Sequence, residues 1–218
     1  MVSIAFVCFS VPLLLMLPVL RGRSRWLVAA LLVGSYLAVC AGALNTMLQQ
    51  ALSASGLELS LSIAPVVEEL LKALPVLAYA LLKSDRRADV LAVAFSTGIG
   101  FAITENAYLM MSLGADATVG WAFVRGISAS LMHGLCTLTV GIGFTFVRTQ
   151  RKLFFTGTFG LLAAAITYHA AFNLLVSANA PWDAAGLALP LATYAIGFVV
   201  WMLKQRKSTP REAGKATR

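Results

Sequence analysis

Long apolar runs separated by short polar breaks make up almost all of this 218-residue chain. A helix needs ~20 mostly apolar residues to cross a hydrocarbon core of ~30 Å. Seven runs meet that need: Ser3 to Leu20, Trp26 to Met47, Leu61 to Leu82, Val90 to Leu113, Val119 to Val147, Leu153 to Ser177, and Ala184 to Leu203. Turn-forming residues mark the breaks, as in SASG ahead of the third run and SANAPWD ahead of the seventh. The pattern predicts an all-α fold, a polytopic transmembrane helical bundle of about seven helices. It forms one integral membrane domain over residues 1–203, followed by a basic tail over 204–218.

The basic residues give this bundle an orientation, because short cytoplasmic loops collect Lys and Arg. Arg21, Arg23 and Arg25 fill the first loop, Lys83, Arg86 and Arg87 the third, and Arg148, Arg151 and Lys152 the fifth. The tail adds Lys204, Arg206, Lys207, Arg211, Lys215 and Arg218. The second, fourth and sixth loops hold no basic residue, only Glu58, Asp116 and Asp183. The N-terminus is therefore expected outside and the C-terminus in the cytoplasm. The first run has its positive charges after it, the reverse of a cleaved signal peptide, so it is expected to stay as the first span.

Composition agrees with the pattern. The chain is 59% apolar and 12% charged, whereas soluble domains run at ~45–50% and ~25%. Its net charge of +8 is gathered in loop clusters. Such clusters fit a lipid bilayer, not a groove that follows nucleic-acid phosphates. Cys8, Cys40 and Cys136 are widely spaced inside apolar runs without metal-binding spacing, and are expected as small core residues.

Against this background, Glu68, Glu69, Lys72, Glu105, Arg125, His133 and His169 stand inside the runs. Each charge at mid-membrane costs ~2.5–3.5 kcal/mol, so five unpaired ones would cost roughly 12–18 kcal/mol. They must pair and face the bundle interior or water, which makes them a functional site by default. Glu68 and Lys72, four apart, share a helix face, as do His169 and Asn173. Glu105 and Asn106 lie in the fourth run, with Tyr108 close behind and Gly98 and Gly100 upstream allowing close helix approach. With neutral histidines, three acids face two bases, and one carboxylate lacks a full counter-ion. Such a group suits a general base. Counting in from the outer ends puts Glu68, Glu69, Glu105 and His169 at a shared depth of ~11–12 Å. A shared level argues for one site.

The stretches APVVEELLKALPV, GIGFAITENAYL, RGISASLMHGL and YHAAFN, in that order on successive spans, resemble the PrsW family of intramembrane proteases, distant relatives of the CAAX prenyl endopeptidases. The resemblance covers about residues 61–177, the protease-like core. It implies that Glu68 and Glu69 match the paired glutamates, one of which activates water, and that Lys72 matches the base closing that motif. Glu105, Asn106 and Tyr108 match the Glu-Asn-and-Tyr element, His133 the first histidine, and His169 with Asn173 the HxxxN element. The prenyl endopeptidases have EExxxR where this chain has EExxK, which argues against a CAAX substrate. The family's best-known activity is the first cut of a membrane-anchored anti-sigma factor on its extracytoplasmic side. A membrane-anchored protein substrate and a bacterial or archaeal cell membrane follow as expectations.

The mechanism expected from these residues has Glu68 or Glu69, helped by His133, taking a proton from the attacking water. His169 and Asn173 would donate to the oxyanion, a role worth ~2.7–4 kcal/mol per donor. Lys72 and Arg125 would hold the carboxylates, with Glu105, Asn106 and Tyr108 in support. No cofactor is expected on this reading. The alternative is zinc bound by His133, His169 and a glutamate, a known catalytic ligand set, although HExxH is absent. Outside enzymes, buried acids and histidines also serve proton- or ion-coupled transporters and binding scaffolds. The polar set keeps to one leaflet and no inverted repeat is visible, which argues against a transport pathway.

Overall fold

A computed structural model describes residues 2–84, 86–116, 118–147 and 150–208. Arg148 and the tail beyond Ser208, both used above for orientation, lie outside these residues. Among the described residues every regular element is a helix. Seven long helices follow the seven apolar runs: α1 (Val2–Met16), α2 (Gly22–Leu52), α3 (Ala64–Leu82), α4 (Arg87–Leu113), α5 (Val119–Phe144), α6 (Arg151–Val176) and α7 (Trp182–Ser208). Of these, α2, α4, α5, α6 and α7 are long and apolar enough to cross a membrane. α3 has 19 residues and three internal charges, and α1 has 15, a length of ~22 Å at the helical rise.

The ends of the helices follow from local chemistry. α1 stops just before Leu17 and Pro18, because proline disfavours helical backbone in the residue before it. α2 ends at Ser53, which takes left-handed backbone at φ 50° and ψ 35°, while the Ala54 N–H returns to the Gln49 carbonyl at 3.0 Å. Ser55 and Glu58 then form a capping box, with Ser55 N–H donating to Glu58 at 2.8 Å and Glu58 N–H to Ser55 Oγ at 3.2 Å. Those Ser55 bonds hold the exposed Glu58 carboxyl below its usual range. A π-helical turn, Leu59–Ile63, leads into α3, whose first turn carries Pro65, where a missing N–H does no harm.

α4 packs closely between α2 and α5, and glycines set the spacing. A Cβ on Gly100 would lie 1.9 Å from the Leu31 carbonyl oxygen of α2, and one on Gly98 2.4 Å from the His133 carbonyl oxygen of α5. The two backbones meet only because those side chains are absent. Val76, Ala94, Met132, Val140 and Phe172 form the apolar core beside the polar residues. Outward faces are apolar too: Phe123, Phe159 and Trp201 are each more than half exposed, as suits a surface wetted by lipid. Cys136 is buried, but Cys8 and Cys40 lie on this outer surface, contrary to the expectation of core positions. In lipid, a thiol on the outer face carries no desolvation cost that would drive it inward.

Candidate active site

The inward face of α3 carries Glu68, Glu69, Lys72, Ala73, Val76 and Ala80, a helical stripe whose first turns are ionic and whose later turns are apolar. Lys72 and His133 are fully buried, and Glu69 and His169 nearly so. Charges this deep persist only if they are paired and hydrogen-bonded.

Pairing runs through one connected chain of contacts. Arg125 Nη2 on α5 lies 3.6 Å from Glu105 Oε1 on α4. Glu105 Oε2 meets His133 Nε2 at 2.8 Å. His133 Nδ1 meets Lys72 Nζ at 2.8 Å, and Lys72 Nζ donates to Glu69 Oε1 at 2.6 Å. The same Glu69 oxygen meets His169 Nδ1 at 2.9 Å. His169 Nε2 then faces Glu68 Oε2 at 3.9 Å, and Glu68 Oε1 accepts from Asn45 Nδ2 on α2 at 3.3 Å. Five helices contribute. Lys72 therefore pairs with Glu69, three residues back, and not with Glu68 as its spacing of four suggested. Both positions lie within reach on a helix surface, and the rings from α5 and α6 decide between them.

The partners also fix where the imidazole protons sit. A carboxylate only accepts and an ammonium only donates. Neutral His133 thus carries its proton on Nε2, toward Glu105, and turns the Nδ1 lone pair to Lys72. Neutral His169 carries its proton on Nδ1, toward Glu69, and leaves Nε2 as a bare acceptor. Its neighbour Glu68 Oε2 is buried and has no hydrogen-bond partner among the described residues. Glu68 Oε2 and this nitrogen, 3.9 Å apart, are satisfied together by a cation, by a water donating both protons, or by a proton carried on Nε2 itself. The charges of the cluster, three carboxylates against Lys72 and Arg125, leave one negative charge over, and Glu68 is the acid without a cationic neighbour in hydrogen-bond range.

Other expected residues stand further out. Asn173 Nδ2 donates to the Ser60 carbonyl at 2.9 Å, tying α6 to the π-helical turn ahead of the glutamates. Asn106 is half-buried with its Oδ1 unpartnered. Tyr108 is 57% exposed and turned away from the cluster. Asn45 was not among the candidates. Its signal was present, an amide inside the second apolar run, but one neutral polar group in a span is a weak mark.

A buried constellation of acids and imidazoles inside an apolar helical bundle marks a multi-pass membrane protein with a built polar site, and a family match makes it a hydrolase. The chain belongs to the PrsW family of intramembrane metalloproteases, matching it over residues 22–204, and is an intramembrane peptidase. No curated protein and no solved structure matches it significantly. The match extends past the quoted motifs to take in α2, with Asn45, and most of α7.

Glu68, His133 and His169 each offer one ligand atom, and these atoms lie within 4.8 Å of one another. The donor set fits a metal on three counts. Its ligand types are those of catalytic zinc sites. Glu68 Oε2 is buried without a partner. Each histidine gives its second nitrogen to a carboxylate, as metal-bound histidines do.

Proposed function

We propose that the protein hydrolyses a peptide bond in a membrane-anchored protein, near the extracytoplasmic face, in a pocket where Glu68, His133 and His169 hold a divalent metal. The observation that carries this reading is the buried, unpartnered Glu68 Oε2 standing 3.9 Å from His169 Nε2, in a set of three ligand atoms within 4.8 Å of one another. When bound there, a zinc-like ion supplies Lewis acidity toward a carbonyl oxygen or a water.

The chain's own residues do the rest. Glu69 fixes His169 through Nδ1, and Glu105 fixes His133 through Nε2, so both rings are held in one orientation. Lys72 and His169 both occupy Glu69 Oε1, while Oε2 has no partner. That free oxygen is the one left to take a proton from the attacking water as its oxygen bonds to the peptide carbon. Asn45 turns Glu68 so that Oε2, not Oε1, faces His169. Lys72 pairs with Glu69 and Arg125 with Glu105, so two of the three carboxylates have a cation beside them. An anti-sigma factor is the substrate class that the family likeness supports, and the outer face follows from the distribution of Lys and Arg among the loops.

A second reading is favoured by one observation: both ring nitrogens of His133 are already engaged, by Lys72 and Glu105. Without metal, a water donating to Glu68 Oε2 and His169 Nε2 would pass its proton to Glu68 on attack. Metal content and cleavage of a membrane-anchored reporter by purified Glu68→Gln and Glu69→Gln separate the two. The metal reading expects Glu68→Gln to lose both and Glu69→Gln to keep metal but lose turnover. Loss of activity in Glu68→Gln at unchanged metal content supports the metal-free reading. Cleavage retained in both variants would end the glutamate mechanism altogether.

A further inference from the structure

We infer that the Lys72 ammonium and the metal compete for His133, so that loading the site requires Lys72 to let go of the ring. This rests on the metal reading above. Lys72 is fully buried, and its three N–H groups have three partners: Glu69 Oε1 at 2.6 Å, His133 Nδ1 at 2.8 Å and the Phe101 ring face, 4.6 Å from its centroid. It occupies the cluster as a resident cation.

Valence makes the competition unavoidable. A neutral imidazole has one lone pair in its plane and one N–H. In this structure the lone pair, on Nδ1, is taken by the ammonium. A metal on Nδ1 must displace Lys72 directly. A metal on Nε2 would displace Glu105 and move the proton to Nδ1, where N–H would confront N–H. Either way the 2.8 Å contact breaks. Lys72 keeps an anchor, because Glu69 on its own helix already holds it through Oε1 at 2.6 Å. Charge acts in the same direction, since a divalent ion held by Glu68 and His133 would repel the ammonium beside that ring. The consequence is selectivity: hard oxygen-seeking ions such as magnesium gain too little from imidazole to dislodge the lysine, whereas zinc-like ions gain enough.

The chain has only two histidines, so nitrogen-15 NMR of histidine-labelled full-length protein in lipid reads both rings directly. Before zinc is added, one ring should carry its proton on Nε2 and the other on Nδ1. Saturating zinc should convert both to metal-bound rings and abolish the lysine contact of His133. In parallel, zinc affinity is measured by chelator competition for wild type, Lys72→Met and Arg125→Gln. Lys72→Met should bind zinc about tenfold more tightly, the scale on which outer partners set metal affinity. Arg125→Gln removes a charge from the same network without freeing the His133 lone pair, and should move affinity far less. Zinc bound only by Lys72→Met supports the displacement in its strongest form. Equal gains in the two variants, or a zinc-loaded wild type that keeps its Lys72–His133 bond, overturns it while leaving the metal site standing. Zinc bound by neither wild type nor Lys72→Met overturns the metal reading and this inference together.

Discussion

Glu105 and His133 meet at 2.8 Å across the α4–α5 contact, which makes Glu105 the direct partner of a buried ring. The residue belongs to the same kind of carboxylate–imidazole pair as Glu69 with His169. Arg125 approaches its other oxygen at 3.6 Å, so Glu105 relays charge between an arginine and the ring.

Replacing Glu105 with Gln keeps an acceptor for Nε2–H but removes the charge that orients and polarises the imidazole. We expect turnover to fall by about 10- to 100-fold, as for other partners that act through a histidine. The double variant with Arg125→Gln should fall by less than the two single losses combined, because the two side chains act as a unit. The measurement is cleavage of a membrane-anchored reporter in a double-mutant cycle; strictly additive losses would uncouple the pair.

Asn45→Leu tests the residue that motif reading passed over. The Glu68 carboxylate would lose its donor on Oε1 and the constraint on which oxygen faces His169. We expect a drop of about tenfold or more in kcat, on the scale of partners one step removed from the reacting groups. Melting temperature should stay nearly level, because Leu fills the space of Asn in an apolar setting. Recovery of turnover in Asn45→Gln would support positioning over mere packing.

The positions of the helices were legible in the sequence because each span must reach a length fixed by the bilayer and must exclude charge. The members of the cluster were legible for the same reason in reverse: Glu68, Glu69, Lys72, His133 and His169 stand out where ionisable groups are costly. Their pairing was not legible. Residues three and four apart on α3 share one face, so spacing alone could not choose Glu69 over Glu68 for Lys72. The match of Glu105 to His133 depends on the rotation of α4 against α5. Tyr108 lay within a motif and three residues from Glu105, yet that step of about 300° still leaves it on the outer surface.

Gly98 holds α4 against the backbone that carries His133. In Gly98→Ala the new Cβ would stand 2.4 Å from the His133 carbonyl oxygen and 2.8 Å from Gly134 Cα, and both neighbours are backbone. The helices must separate, at a cost of about 1–3 kcal/mol or more for such overpacking. Thermal unfolding in detergent should show a clear drop, with loss of turnover as the Glu105–His133 contact opens. Gly120→Ala, where a Cβ meets nothing within 4 Å, serves as the neutral control. Equal behaviour of the two would mean that α4 and α5 are not packed as described.

Asn173 has two roles open to it, and its contact with Ser60 separates them. As an oxyanion donor it would act only in the transition state, and its loss would cost ~2.7–4 kcal/mol in kcat without loosening the fold. As a clip, its 2.9 Å bond to the Ser60 carbonyl satisfies a group in the π-helical turn and fixes how the chain enters the helix of the two glutamates. Asn173→Ala would then leave that half-buried carbonyl short of a partner, a loss of about 1 kcal/mol. We expect the clip: faster amide exchange around Leu59–Ile63 in Asn173→Ala, together with reduced turnover. Asn173→Asp, which cannot donate, should behave the same way. Unchanged exchange in that turn, with kcat alone reduced, would return Asn173 to the oxyanion role, because only a group idle in the resting enzyme can be removed without disturbing it.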